Sequence, residues 1–414
     1  MAYLLKNARL LDAAHDNQQL DVLVEGREIK AVGKGLGPAD TELDLSGYTL
    51  LPGFIDAHVH VAVNDDEFLD NAVSAWAYNG VTTVRELGML SQLPQDAYAK
   101  WIRENNQLPQ NARVIATGKY IDVAGGYGAG PNPNHPVGNL ISTPAEAAEA
   151  VTDALKLGFP GIKIGIHDGS MDTTPHLSPE MAKAVCDRAA SHGMWVASHI
   201  GNCKGANFML EAGVRELAHT PSDPMPQEMI SWMAEHGVIM DTTVGDPDKK
   251  MEPPPGMDLP GGPGGPGGPG GPGGPGGPGD APMGPPPGMP HVSPEEKRKQ
   301  WQTMVENLGR FHKAGGTVVI GTDLIHSRDF RKDAVIPVPE LRALAKAGMS
   351  VQDAVKAGTL AAAQVVGTGA VEGLIEAGRL ANLVAVKGTV DEQFDALTSP
   401  RLVMHYGTVI RNEL

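Results

Sequence analysis

Short apolar runs alternate with longer amphipathic segments through most of this 414-residue chain. Strand-sized apolar runs separated by helical segments are typical of a parallel sheet with crossover helices. Eight such runs follow one another, and helical segments separate most of them. They are GFIDAHVHV, VTTVREL, ARVIATGKYI, GIKIGI, WVASHI, RELAHT, GVIMDTTV and TVVIGTDL. The pattern predicts an α/β fold, a (β/α)8 barrel of the TIM type.

The two ends of the chain differ from this middle part. Residues 1–50 contain short strand-like runs with turns between them, and residues 376–414 are strand-like again. We therefore expect both ends to pair into one small β-sandwich domain. The barrel, residues 51–375, would then be inserted between the two parts of that domain.

Several helix starts carry capping signals. Thr143, Pro144 and Glu146 form one predicted capping box, and Ser293, Pro294 and Glu296 form another. Residues 339–367 predict two further helices before the C-terminal strands.

A Pro/Gly-rich insertion covers residues 253–290 and follows the seventh strand. Within it, residues 260–279 repeat Pro-Gly-Gly with a period of three. This composition buries too little apolar surface to offset its ordering entropy, which predicts a disordered or polyproline-II-like loop. Because glycine recurs at every third position, collagen-like winding or packing of extended glycine helices stays open as an alternative. The insertion should emerge at the C-terminal face of the barrel, where a cover over a site or an assembly element would lie.

Charge and cysteine content narrow the function classes. The formal net charge is −16, which argues against nucleic-acid binding because such proteins present a basic face. Two cysteines in a chain of this size are no disulfide framework, so we expect a cytoplasmic protein. We see no signal-peptide pattern and no apolar run of membrane-spanning length, so no membrane partner is expected.

Titratable side chains gather near the carboxyl ends of five of the eight strands. His58 and His60 lie two residues apart and so point to the same side of their strand. The full set is His58, His60, Lys163, His199, His219 and Asp323. Imidazole and carboxylate are ligands that suit zinc and similar metals. Each residue alone also has a structural interpretation: His219 as a core histidine, Asp323 as a helix N-cap, Lys163 as a side chain reaching towards solvent.

In this order the motifs resemble those of the amidohydrolase superfamily of metal-dependent hydrolases, closest to its imidazolonepropionase-like and prolidase-like branch. The matching pieces are LLPGFIDAHVH, NGVTTVRELG, GIKI, SHIGN, ELAHT, IGTD and AGMSVQDAVKAGTLAAAQVVG. They extend from residue 50 to about residue 370. The resemblance implies two divalent metal ions, with zinc expected.

The resemblance also implies a role for each of the six residues. His58 and His60 would bind one ion, and His199 and His219 the other. Lys163, carboxylated on its amine, would bridge the two ions. Asp323 would bind the first ion and pass a proton from a shared hydroxide to the leaving nitrogen.

Substrate contacts are less defined, because the chain departs from the family at several positions. Gly201 stands where prolidase-like relatives often carry a tyrosine, and the usual GGHG reads GGYG, with Tyr127 in place of histidine. We expect Tyr127 either to supply the missing hydrogen bond or only to fill space. His135 is a second catalytic candidate, and Arg328 is a candidate for holding a substrate carboxylate.

Three functions are compatible with this pattern. The first is hydrolysis of an amide C–N bond in a dipeptide or an N-acyl or carbamoyl amino acid. The second is hydrolysis of a cyclic amide or of a xenobiotic amide or carbamate. The third is a non-catalytic barrel scaffold whose Pro/Gly-rich loop recruits a partner. For either enzyme we expect a small-molecule substrate and a homo-oligomer.

Overall fold

The computed structural model describes residues 1–61, 66–89, 91, 93–129, 138–166, 174–248, 293–325 and 333–414. The Pro/Gly-rich insertion, His135 and Arg328 lie outside the described residues. The helices are α1 (Asp66–Tyr78), α2 (Gln95–Asn105), α3 (Pro144–Leu157), α4 (Pro179–Ala190), α5 (Cys203–Ala212), α6 (Gln227–Glu235), α7 (Pro294–Lys313), α8 (Val338–Lys346), α9 (Val351–Ala357) and α10 (Leu360–Val365). None of these helices is long and apolar enough to cross a bilayer.

Strands occupy both ends and the middle of the chain. The first part contains β1 (Ala2–Leu11), β2 (Asp16–Glu25), β3 (Glu28–Gly33), β4 (Thr41–Asp44), β5 (Tyr48–Pro52), β6 (Phe54–His60), β7 (Val81–Glu86), β8 (Arg113–Ala116), β9 (Ile121–Asp122) and β10 (Asn139–Leu140). The second part contains β11 (Gly161–Gly165), β12 (Trp195–His199), β13 (Glu216–Leu217), β14 (Ile239–Asp241), β15 (Thr317–Val319), β16 (Leu324–Ile325), β17 (Leu383–Lys387), β18 (Leu402–His405) and β19 (Thr408–Asn412).

The eight predicted central strands are all present, in the predicted order, and they pair in parallel. Two sheets contain them, with the orders β16-β6-β7-β8 and β11-β12-β13-β14-β15. The backbone N–H of Ala57 donates to the carbonyl of Ile320 over 2.9 Å and joins the two sheets on one side. The α/β class with parallel strands is therefore confirmed. In the described residues, however, no continuous ladder closes the eight strands into one ring.

Both ends of the chain contribute to one further sheet, with the order β19-β18-β17-β5-β1-β2-β3 and β4 paired to β1. The join is antiparallel: Leu383 of β17 stands opposite Pro52 of β5, and Lys387 stands opposite Tyr48. A separate apolar core that includes Leu50 covers this sheet. The predicted pairing of the two ends is thus present as a single eight-stranded sheet, and a two-sheet sandwich is not confirmed.

The central strands are largely buried. Every residue of β6, β7 and β11 is buried, as expected of parallel strands covered on both faces. The helices present one apolar stripe to these strands; in α3 the buried residues Ala147, Ala150, Val151 and Ala154 follow helical spacing. Polar side chains on the central strands therefore face the interior of the molecule or the edge where the strands end.

Local details correct two of the sequence predictions. Ser293 and Glu296 form the predicted capping box of α7. Thr143 caps α3, but the Glu146 carboxylate accepts from the backbone N–H of Ser142 instead of that of Thr143. The capping box predicted at α3 is therefore incomplete. Residues 339–367 lie in three short helices, α8, α9 and α10, where two were predicted.

Candidate metal centre

All six predicted metal-binding residues are described, and they come together towards the carboxyl ends of the parallel strands. His60 and His199 are the last residues of β6 and β12, and His219 follows the end of β13. Lys163 lies in the middle of β11, and Asp323 lies between β15 and β16. Parallel strands end at a common edge, so residues far apart in sequence meet there.

Three of the six residues form one compact group. The Asp323 Oδ1 atom lies 3.0 Å from His60 Nε2 and 3.3 Å from His58 Nε2. Ligand atoms of these three residues all lie within 4.8 Å of one another. His58 is fully buried, whereas the Asp323 side chain is 30% exposed. The group therefore combines buried imidazoles with a carboxylate that opens towards solvent.

The other three residues join this group through His58. The Lys163 Nζ atom lies 3.4 Å from His58 Nε2, and the rings of His58 and His219 have centroids 5.0 Å apart. The His219 Nε2 atom lies 2.7 Å from His199 Nδ1. Short contacts thus connect four imidazoles, one lysine and one carboxylate into a single cluster.

Hydrogen bonds at the second ring nitrogen orient three of the histidines. The Nδ1 atom of His58 lies 2.9 Å from the carbonyl of Ala218, and that of His60 lies 3.0 Å from the carbonyl of Gly88. A carbonyl only accepts, so Nδ1 carries the proton in both rings and each Nε2 keeps a free electron pair. His219 Nδ1 lies 2.9 Å from the Thr243 hydroxyl. The two carbonyls fix the tautomers of His58 and His60 that metal binding requires, and the Thr243 hydroxyl orients the ring of His219.

The backbone at Asp323 adopts an unusual conformation. Its φ of +52° lies in the left-handed region, which is rare for a residue with a side chain. The N–H groups of Thr322 and Asp323 both donate to the His58 carbonyl, over 3.2 and 2.7 Å. Left-handed conformations of this kind cost about 1–3 kcal/mol and concentrate at functional sites. The turn holds the Asp323 carboxylate directly against the two histidines of β6.

Burial and neighbouring charges shift the pKa values of the cluster. Burial lowers the pKa of His58 well below its usual value, and the nearby Lys163 charge lowers it further. Burial also lowers the pKa of Lys163 to about 8, despite the opposing attraction of Asp323. Burial raises the pKa of Asp323, but the adjacent His58 and His60 outweigh that effect and hold it well below its usual value. These shifts favour a neutral imidazole at His58 and an ionised carboxylate at Asp323, the forms of the two side chains that bind cations.

A second polar network lies inside the molecule next to this cluster. Arg85 is fully buried; it donates from Nε to the carbonyl of Ala57 over 2.7 Å and forms a two-pronged pair with Glu216. Asp241 lies 3.7 Å from the Arg85 Nη2 atom and 3.6 Å from His58 Nδ1. Burial, and after it the Glu216 charge, raises the pKa of Asp241 well above its usual value.

Tyr127 lies at the rim of the cluster. It begins a single turn of 3-10 helix, residues 127–129, and its ring stacks on His199 with centroids 4.1 Å apart and planes 20° apart. Its side chain is 43% exposed. Asp122 holds this turn by accepting from the Gly128 N–H over 2.8 Å. The other substrate-contact candidates, His135 and Arg328, lie outside the described residues.

The donor set itself tests whether the site suits a metal. Two imidazole nitrogens only 2.7 Å apart, in His199 and His219, need a proton or a cation between them. Free electron pairs of His58 and His60 face the Asp323 carboxylate. Nitrogen and carboxylate oxygen donors of this kind are typical of zinc and related divalent ions. The residues present therefore fit divalent metal ions.

Sequence reasoning missed the groups that support this cluster. Thr243, the partner of His219, follows β14 and carried no motif of its own. The carbonyls of Ala218 and Gly88 are backbone atoms, which no residue type announces. The position of Thr243 directly after a central strand was the only signal in the sequence.

Comparisons with known proteins find a match that covers most of the chain. A model described as "Amidohydrolase family" matches residues 49–410. A dihydroorotase of Geobacter metallireducens (strain ATCC 53774 / DSM 7210 / GS-15) is 27% identical over 243 residues, which cover 57% of this chain and 50% of that protein. A dihydroorotase of Bacillus subtilis (strain 168) is 31% identical over 121 residues, 28% of each protein. The chain thus spans half or less of the length of these curated relatives.

A solved structure resembles the chain over its whole length. A Xaa-Pro dipeptidase with methionine bound in its active site has a TM-score of 0.75 at 21% identity, and the match covers 100% of both chains. This likeness shows that the two proteins share a fold.

Proposed function

Because the chain belongs to the amidohydrolase family, we propose that it is a metal-dependent hydrolase that cleaves the amide C–N bond of a dipeptide or an N-acyl or carbamoyl amino acid. The observation that carries the proposal is the single cluster of His58, Lys163, His219 and their neighbours. The full-length structural likeness to a Xaa-Pro dipeptidase supports the choice of substrate class. Such substrates place an amide bond close to a free carboxylate.

Two divalent ions, zinc in the proposal, would be held by the four histidines, Asp323 and Lys163. Lys163 would take part as a carbamate, because an ammonium group cannot bind a cation whereas a carbamate is an anionic ligand. When bound, the ions would polarise the scissile carbonyl and lower the pKa of water so that it attacks near neutral pH. The burial of Lys163, which is 1% exposed, would protect the carbamate from solvent.

Asp323 is proposed to transfer the proton. Its Oδ1 atom contacts both histidines of β6, and its side chain is partly open to solvent. The carboxylate is therefore placed to accept a proton inside the cluster and to deliver it to the leaving nitrogen. The hydrogen bonds from Thr322 and Asp323 to the His58 carbonyl hold it in that position.

Tyr127 is proposed to contact the substrate. Its ring covers one face of His199, while 43% of the side chain stays exposed at the mouth of the site. A phenol at this point can donate a hydrogen bond to a substrate carbonyl, which Gly201 cannot do. Roles for His135 in catalysis and for Arg328 in binding a substrate carboxylate stay predictions from the sequence.

A second candidate is the hydrolysis of a cyclic amide. The sequence match to a dihydroorotase extends over 243 residues and favours this alternative. Both candidates use the same cluster, since each reaction breaks a C–N bond of an amide. They differ in the shape of the pocket around the metal centre.

A substrate panel separates the two candidates. Purified protein loaded with zinc is offered Xaa-Pro and other dipeptides, N-acetyl and N-carbamoyl amino acids, and dihydroorotate, and released amine or ring-opened product is measured. Turnover of the open-chain compounds supports the first candidate. Turnover of dihydroorotate alone would instead support the second, and metal-bound protein that hydrolyses none of them would favour the non-catalytic scaffold.

Lys163→Ala tests the metal centre itself. We expect wild-type protein to contain two equivalents of metal by elemental analysis and the variant to lose much of this metal and nearly all activity. Lys119→Ala is a matched control, because Lys119 is partly buried but belongs to none of the contacts of the cluster. Full metal content and full activity in Lys163→Ala would refute the proposal that Lys163 binds metal as a carbamate.

Further parts of the proposal extend beyond this site. We propose that the two parallel sheets form a closed TIM-type barrel, as in structures of this family, with domain boundaries near residues 50 and 375. A cytoplasmic location is proposed from the two cysteines, Cys186 and Cys203, which are buried and unpaired. Assembly into a homo-oligomer is proposed and is tested by light scattering of the purified protein.

A further inference from the structure

A cavity of about 560 Å³ lies where the terminal sheet meets the parallel strands. Arg27, Arg103 and Arg113 line it, together with Glu28, Leu380 and Tyr406. Arg27 lies in the turn between β2 and β3, Arg103 in the last turn of α2, and Arg113 is the first residue of β8. A cavity at the start of β8 is at the edge of the parallel strands opposite the candidate metal centre. Its volume is in the range of small-molecule sites.

The charges around the cavity are unusual for a protein with a net charge of −16. Three arginines and one glutamate line it. The Arg103 side chain forms no hydrogen bond or ion pair with any part of the chain that the structure describes. Arg113 has one acidic neighbour, with Nη1 3.9 Å from Glu372 Oε1, too far for a hydrogen bond. Most guanidinium donors at the cavity are therefore available to a ligand.

Apolar surface accompanies these charges. The Arg27 guanidinium lies over the ring of Tyr406, 4.0 Å from the ring centroid. The face of the guanidinium contacts the ring, so the N–H groups along its edge can still donate hydrogen bonds to a ligand. Tyr406 is only 6% exposed and forms a rigid wall. Leu380 adds an aliphatic surface on the same side. The cavity thus offers both cationic and apolar contacts.

A buried histidine, His405, lies next to the cavity. His405 is fully buried, with Nδ1 2.9 Å from the carbonyl of Pro109. Burial lowers the pKa of His405 to about 4, and the charges of Arg27 and Arg113 contribute to that lowering. Arg27 and Arg113 thus lie close enough to His405 to act on it as positive charges.

We propose that this cavity binds a small molecule that carries a phosphate group and an apolar body, at a site separate from the metal centre. Guanidinium groups match the geometry of phosphate oxygens and bind them through paired hydrogen bonds. Three arginines suit a dianionic phosphate better than a single carboxylate. Tyr406 and Leu380 would contact the apolar body of the ligand.

Phenyl phosphate is the probe, because it combines a dianionic phosphate with an apolar ring. Its binding to the metal-loaded protein is measured by isothermal titration calorimetry, with inorganic phosphate and benzoate as comparison ligands. We expect saturable binding, with affinity that decreases from phenyl phosphate to inorganic phosphate to benzoate. The double variant Arg27→Gln/Arg103→Gln should bind phenyl phosphate at least about tenfold more weakly, because it loses two of the three cationic forks that would bind the phosphate oxygens.

Two controls make the result specific. Lys100→Gln removes a positive charge from α2, one turn before Arg103, without touching the cavity lining, and should bind as wild type does. Arg27→Lys/Arg103→Lys keeps the charges but loses the fork geometry, and should recover only part of the affinity. Equal binding by the wild type and the Gln double variant would overturn the proposal, because the phosphate would then bind elsewhere, such as at the metal centre. Absence of saturable binding to the wild type would overturn it as well.

Discussion

Arg85, a fully buried charge beside the candidate metal centre, is predicted to contribute strongly to the stability of the fold. It reaches from β7 to the carbonyl of Ala57 in β6 and to the Glu216 carboxylate in β13, and its guanidinium also lies 4.7 Å from the ring centroid of Trp195 in β12. One side chain thus connects four strands of the two parallel sheets. The perturbation is Arg85→Met, which keeps the length of the side chain and removes its charge and donors.

The structure gives the expected magnitude. Arg85 is fully buried and the Glu216 side chain is 3% exposed, so water cannot replace the lost partner. Removing one member of a buried ion pair costs about 3–5 kcal/mol, because the remaining charge stays buried without a counter-charge. The control is Arg342→Met, since Arg342 pairs with Asp395 at the surface, with side chains 41% and 77% exposed. Surface pairs of this kind contribute about 0–1 kcal/mol.

Urea unfolding followed by far-ultraviolet circular dichroism measures both free energies of unfolding. A third variant, Arg85→Met/Glu216→Met, removes both charges and should be more stable than Arg85→Met alone, because the orphaned carboxylate is gone. Equal losses in Arg85→Met and Arg342→Met would refute the reasoning. It would also be refuted if the double variant were no more stable than Arg85→Met.

Three further predictions follow from single contacts. A Cβ at Gly321 would lie 2.6 Å from the Cβ of His58, so Gly321→Ala should displace His58 and lower the metal content measured by elemental analysis. Gly33→Ala is the control, because the nearest atom to its added Cβ would be 3.8 Å away, and it should keep its metal. Equal metal content in the two variants would contradict this prediction. Burial raises the pKa of Asp122 from 3.8 to about 6, so folding favours its protonated form and the wild type should lose stability as pH rises through that interval. Asp122→Asn should remove this part of the pH dependence of the melting temperature, and an unchanged profile would argue against it. Ser293→Ala should cost about 1 kcal/mol by removing the N-cap of α7, measured by urea unfolding, and no loss would show that the cap contributes nothing.

The strands and the cluster were predictable because each leaves a local mark in the sequence. A strand buried on both faces, such as β6 or β11, is a short continuous apolar run, and a polar residue within or after such a run is conspicuous. His58, Lys163 and Asp323 were found in this way. Parallel pairing then implies that the ends of these runs meet, which is how positions over 260 residues apart were assigned to one site. Closure of a barrel depends on how neighbouring strands are aligned with one another. The apolar pattern of a single strand does not contain this information.

The groups that support the histidines, and those that line the arginine cavity, leave no such mark in the sequence for a physical reason. Ala218 and Gly88 act through backbone carbonyls, so their side chains are irrelevant to the contact. The arginine cavity depends on Arg27, Arg103 and Arg113, which belong to three different elements and meet only after the terminal sheet packs against the parallel strands. Each of these arginines, taken singly, reads as an ordinary charged residue at the end of a strand or helix. Sites of this kind are defined by the packing of one unit against another, so a sequence pattern can predict the candidate metal centre while giving no sign of the arginine cavity.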